Sequence, residues 1–220
     1  MVLKMSIIVH PNSNIRIFRP NEIIAIQNAI PRAIDLERFN VLLYTGCRYT
    51  EFQDIYGKHN RFDTNGFVKV KNTKAKVKDK FRYVRLSDNG IHTMKRFFKH
   101  SKKPSNYGTW DENMRRWVNL SGIDRDKKSE SKLIDDRDMN PRCGEYNDIV
   151  SLKSLRKTWE SWLNTMFPQY KTHICESIGH TELVSMKSYT QLPFVREDLK
   201  SMIPFVKGWD RDIGLDWCNL

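Results

Sequence analysis

The chain has 220 residues, with 38 Lys and Arg against 26 Asp and Glu, and a formal net charge of +12 at pH 7. That length suffices for one generous domain or two small ones, and 39% apolar with 11% aromatic residues excludes a disordered chain. A compact body with this charge excess attracts a polyanion, nucleic acid first among them, although a solvated basic face gives the same composition.

Cys47, Cys143, Cys175 and Cys218 are scattered and form no CxxC pair, so neither zinc-ligand spacing nor a disulfide framework is present. No apolar run approaches the roughly 18 residues that span a membrane. The N-terminal MVLKMSIIVHPN lacks the pattern of a cleaved leader. A reducing, cytoplasmic setting is expected.

In chain order, residues 1–18 read as a strand or an arm. Asn21 is placed to cap a helix through Glu22-Ile23-Ile24-Ala25-Ile26. After Pro31 a second helix carries Ile34, Leu36, Phe39, Leu42 and Leu43 on its apolar side and stops at Gly46. A short third helix starts near Arg48 and holds Glu51, Phe52 and Ile55 before Gly57. The period then changes: Phe67–Lys71 and Phe81–Leu86 alternate as strands do, and the Lys-rich Asn72–Lys80 between them reads as a hairpin turn.

Ser87 or Asp88 caps the next helix, with Ile91, Met94, Phe97 and Phe98 at helical spacing, and another helix spans about 110–120. Residues 121–150 are polar and broken by Gly122, Pro141 and Gly144, which predicts a long loop. Its Asp135, Asp136 and Asp138 read as solvated loop carboxylates rather than a metal site. From Ser151 a stripe of Leu152, Leu155, Trp159, Trp162 and Leu163 marks a long helix. Helices near 168–178, 181–191 and 194–203 follow, then a tail with Trp209, Ile213, Leu215 and Trp217. The fold class expected is mainly α with a small antiparallel β-hairpin or sheet.

Four strings bear on chemistry: TGCRYTE at 45–51, the Lys-rich hairpin, KSLR at 153–156, and IGHTELVSMKSY ending at Tyr189. Singly each has a bland explanation. Arg48 and Glu51 form an i,i+3 surface pair, Lys153 and Arg156 share a solvated helix face, and Tyr189 is a rim aromatic. In combination and order the chain resembles the tyrosine recombinase (lambda-type integrase) family. That family has an Arg in TGxRxxE, a Lys in a β-hairpin, and a His-x-x-Arg or Lys-x-x-Arg box. A Gly-His pair and a Tyr nine residues beyond the His complete its set. Here these are Arg48, the hairpin lysines, Lys153 with Arg156, His180 and Tyr189, over roughly residues 20–192.

The resemblance implies the tyrosine recombinase catalytic-domain fold over 19–192, between the arm at 1–18 and a C-terminal tail at 193–220. It implies site-specific cleavage and rejoining of double-stranded DNA through a 3′-phosphotyrosine, with neither metal nor nucleotide cofactor. Arg48, Arg156 and His180 would hold the non-bridging oxygens, where the pentacoordinate transition state gathers charge. Glu51 would orient Arg48. Tyr189 would be the nucleophile, and a phenol of pKa about 10 must lose its proton as it attacks. Lys153 is either the base or a further phosphate contact. The proton donor to the departing 5′-oxygen would be one of Lys74, Lys76, Lys78 and Lys80, with Lys74 favoured by its place at the strand end.

The Lys-x-x-Arg box is similar to that of integrases of archaeal viruses and plasmids, which suggests a mobile element acting at the nucleoid of an archaeal or bacterial host. It is similar as well to type IB topoisomerases, so relaxation of DNA is the alternative activity, and a catalytically idle DNA-binding protein of the same fold is another. Fewer than fifty residues precede Arg48. The separate N-terminal DNA-gripping domain common in the family is therefore expected to be missing, from a fragment or from a minimal enzyme. The apolar tail either packs into a neighbouring protomer, within a dimer or tetramer on DNA, or folds back on its own domain. Gln191 stands where the family often has a His.

Overall fold

The structure, a computed structural model, describes residues 15–63, 65–72, 81–100, 102–123, 149–181, 185, 194–211 and 213. Helix α1 spans Pro20–Ala29, with Arg19 rather than Asn21 as its N-cap. The start moves back because Pro20 suits the first helical position, where its missing N–H would be unpaired anyway. Glu22 then accepts the Arg19 backbone N–H at 2.8 Å. Helix α2 (Ala33–Thr45) ends where expected, at Gly46 with φ 55°. The short α3 follows at Tyr49–Ile55.

A small antiparallel sheet comes next, in the order β1 (Phe62–Asp63), β2 (Phe67–Lys71) and β3 (Phe81–Arg85). Val68 pairs with Val84 and Val70 with Arg82. The strand period holds, but the face is not the one hydrophobicity alone selects. Arg82 and Val84 point inward, while Phe81 and Tyr83 are exposed. The turn at 73–80, with Lys74, Lys76, Lys78 and Lys80, lies outside the described residues.

Helix α4 (Asp88–His100) begins with Ser87 Oγ accepting the Gly90 N–H. Helix α5 spans Tyr107–Ser121, opening three residues earlier than its apolar pattern suggests because Asn106 caps it through the Thr109 N–H. Most of 121–150 lies outside the described residues. Helix α6 (Leu152–Met166) is capped by Ser151, and α7 (Lys171–Ile178) follows a turn of 3₁₀ helix at Pro168–Tyr170. Of the helix expected over 181–191 only Thr181 and Ser185 are described. Helix α8 is Arg196–Val206.

Helix α6 packs on α2, α5, α7 and α8, and α7 packs on β3. Its stripe of Leu155, Trp159, Trp162 and Leu163 is fully buried, as are Trp110, Trp117 and Trp209. Buried indoles contribute large apolar areas, each worth about 2–3 kcal/mol when removed from water. Trp162 meets Phe205 of α8 edge-on at 5.1 Å. Met202, Phe205, Val206 and Trp209 thus join the core of their own chain. The Phe18 backbone is pinned on both sides by α6, its N–H to Thr158 Oγ1 and its carbonyl from Trp162 Nε1. Among the described residues no helix is long and apolar enough to cross a membrane.

Candidate active site

The site is built where α2, α6 and α7 end or begin against the inward face of β3. Gly46 makes the left-handed turn that separates α2 from α3, and a Cβ there would lie 2.7 Å from Ile178 Cδ1. Only glycine allows the two helix ends to approach this closely. The turn sets Arg48 as the N-cap of α3, and Glu51 at the third helical position reaches back to it. Glu51 accepts the Arg48 backbone N–H at 2.8 Å and the Arg48 guanidinium at 2.7 Å.

The same carboxylate is gripped from the opposite side by Arg82 of β3, at 2.8 Å and 3.0 Å. Arg82 also donates to Asn72 Oδ1 at 2.8 Å and to the Ser177 carbonyl at 3.1 Å. Arg156 approaches Glu51 to 3.9 Å. It donates to the Gly46 carbonyl and the Ile178 carbonyl, each at 2.7 Å. Those carbonyls close α2 and α7, where helix geometry leaves acceptors unpaired and the dipole favours a cation. Three guanidiniums therefore surround one fully buried carboxylate, leaving net positive charge. Burial works to raise the Glu51 pKa, yet the hydrogen bonds and charge of Arg82, then Arg48, hold it below the ordinary carboxylate value.

His180 follows Gly179, which ends α7 with φ 84°. A Cβ on Gly179 would meet Arg82 Cδ and Nε at 2.8 Å. The His180 Nε2 atom lies 3.0 Å from Oε2 of Glu160, a carboxylate fully buried on α6. Arg48, Asn72, Arg82, Cys175, Glu176, Gly179, His180 and Thr181 line one cleft of about 450 Å³. A cleft of this size with convergent guanidiniums suits a phosphate group and its flanking atoms.

Of the residues expected from sequence, Arg48, Glu51, Arg156 and His180 converge on this place. Lys153 is exposed on the first turn of α6 and is not among the cleft-lining residues. Tyr189 and Lys74 lie outside the described residues. Burial pushes Tyr49, next to Arg48, up to about 12, with its hydroxyl donating to the Ser105 carbonyl, so it is a poor phenolate source. Sequence reading missed Arg82 and Glu160. The first had a signal, an Arg in step with Val84 and Leu86; the second was an acid beside an apolar helix stripe.

These elements and their order make the fold that of a tyrosine recombinase catalytic domain. Solved structures with this fold include XerA recombinase, at 16% identity and TM-score 0.58 over 86% of this chain and 64% of that one. XerH site-specific recombinase bound to palindromic difH substrate, in a post-cleavage complex, matches at 15% identity and TM-score 0.58 over 92% of this chain and 58% of that one. A lambda integrase (75-356) dimer bound to a COC′ core site matches at 12% identity and TM-score 0.57 over 83% of this chain and 62% of that one. The chain thus spans between 58% and 64% of the length of these structures. No protein-family profile matches it, and no curated protein does.

Proposed function

We propose that this chain is a site-specific DNA recombinase or integrase that cleaves and rejoins double-stranded DNA through a covalent 3′-phosphotyrosine at Tyr189. The observation that carries the proposal is the buried carboxylate of Glu51, shared by Arg48, Arg82 and Arg156, with His180 lining the same cleft as Arg48. The net charge of +12 and the DNA-bound XerH and lambda integrase structures of like fold support DNA as the partner.

In this reading the Tyr189 oxygen attacks the scissile phosphorus while the bond to the 5′-oxygen breaks. Arg48 and Arg156 hold the non-bridging oxygens, and His180 adds a hydrogen-bond donor; fixed charge of this kind needs no reorganisation as the transition state forms. The phenol proton leaves to a basic group, and Lys153 of the box is either that base or a further phosphate contact. A hairpin lysine, Lys74 by preference, protonates the departing 5′-oxygen. The phosphodiester energy stays in the adduct, so the 5′-hydroxyl can attack in reverse and reseal the strand without a metal or nucleotide. The enzyme would act as a dimer or tetramer on DNA, in the nucleoid of its host.

The test is a nicked suicide substrate incubated with EDTA and resolved on a denaturing gel. Wild type forms a protein–DNA adduct and Tyr189→Phe forms none. An adduct that persists in the variant would move the nucleophile elsewhere.

A further inference from the structure

Helix α6 carries a fully buried acid beside its apolar stripe. Glu160 falls between Trp159 and Trp162 on a buried surface, one helical turn after Arg156, and its side chain is fully shielded from water. Burying a carboxylate is costly unless a cationic or donor group meets it. The group that faces it is the imidazole of His180, whose Nε2 lies 3.0 Å from Oε2 across the α6–α7 contact, at ion-pair distance but outside hydrogen-bond geometry. Lys157, three residues earlier on α6 and buried, adds positive charge nearby.

We infer that Glu160 is the positioning residue for His180, its carboxylate pairing with the imidazole at Nε2, where a small turn of the ring lets it accept the Nε2 hydrogen, and so holding the imidazole at the wall of the cleft. A histidine ring otherwise rotates about its side-chain bonds; pairing at Nε2 fixes the ring and leaves Nδ1 as the nitrogen for phosphate, which donates when the ring carries hydrogen on both nitrogens. In a low-dielectric surround that pairing is stronger than at the surface, which suits a ring that must stay put while phosphate charge builds up. The arrangement repeats the logic of other active sites, where a buried acid orients a catalytic imidazole without touching substrate. The inference rests on the recombinase reading for its catalytic consequence, but not for the pairing itself.

Single-turnover adduct formation on the nicked substrate, at saturating DNA, supplies the catalytic readout. Glu160→Ala is expected to slow the step by about 10- to 100-fold, the usual effect of losing a ring-orienting partner. DNA affinity should stay within about threefold, since most of it comes from other basic residues. Glu160→Gln, whose amide oxygen can accept the same hydrogen, should recover to within about threefold of wild type. In a His180→Ala background Glu160→Ala should add less than about twofold, because coupled residues are non-additive. An equal loss on that background, or no recovery with Gln, would assign Glu160 to structure alone and overturn the inference.

A second measurement needs no DNA cleavage. Long-range proton–nitrogen NMR of the full chain should find hydrogen on His180 Nε2 in wild type and a mixed tautomer population in Glu160→Ala. A bare Nε2 in wild type would overturn the pairing. A wild type with the NMR signature intact but no adduct would instead sink the recombinase reading and leave the pairing standing.

Discussion

The guanidinium of Arg82 closes on both carboxylate oxygens of Glu51, at 2.8 Å and 3.0 Å, from a strand 31 residues further along the chain. Glu51 thereby serves two cations at once, and Arg48 can be rigid only because Arg82 holds the far side of their common acid. Removing one member of such a buried pair costs about 3–5 kcal/mol, because the partner charge is left without compensation. Glu51→Gln is expected to lose stability on that scale in urea unfolding and to slow adduct formation as Arg48 loosens.

The acid dependence of that loss follows from the lowered Glu51 pKa. A carboxylate depressed in the folded state stabilises fully above its unfolded value and loses that contribution as pH falls through the folded one. The stability gap between wild type and Glu51→Gln should therefore be full above the ordinary value of 4.5 and narrow below it. A gap that widens in acid would contradict the pairing.

Gly179 and Gly57 separate two effects of adding a methyl group. Both have positive φ, but a Cβ on Gly57 meets nothing within 4 Å, whereas on Gly179 it strikes Arg82 at 2.8 Å. Gly57→Ala should cost only the backbone strain, about 1 kcal/mol. Gly179→Ala should cost about 1–3 kcal/mol more, since Arg82 is pinned and cannot swing aside. Thermal denaturation of the two variants reads the difference, and equal shifts would show that Arg82 yields.

Lys157 gives a signature at the alkaline end. Burial pushes its ammonium down to about 8 from 10.5, against the pull of Glu160. Between those values the unfolded chain holds a proton that the folded chain has released, so this group makes stability rise with pH. The stability of wild type relative to Lys157→Met should increase by about 2–3 kcal/mol across that window. A flat difference would mean that Lys157 stays charged in the fold.

Arg48→Ala and Arg156→Ala should keep DNA affinity within about tenfold while adduct formation falls by about 100-fold or more. They should differ in stability. Arg156 satisfies carbonyls at the ends of two helices, so its loss should weaken the fold more than loss of the partly exposed Arg48. Gel shift, suicide-substrate cleavage and urea unfolding read the three quantities, and a binding loss as large as the rate loss would count against a transition-state role.

Local chemistry made much of this protein legible from its residues alone. The stop at Gly46, the start at Ser151 and the two strand periods depend on neighbours a few positions away, and they stand as read. Arg48 and Glu51 meet within one helical turn, so their pairing is written in TGCRYTE. What the fold alone decided is which distant groups share a carboxylate. A strand's period says that Arg82 faces opposite to Tyr83, but which face turns inward depends on the helices packed against the sheet. Lys153 and Arg156 share a motif, yet α6 buries Arg156 between two helix ends and leaves Lys153 in solvent. Glu160 looks like a stray acid beside an apolar stripe until α7 brings His180 to it. Charge compensation in a protein interior acts across space, and the chain's own order carries no measure of that distance until it folds.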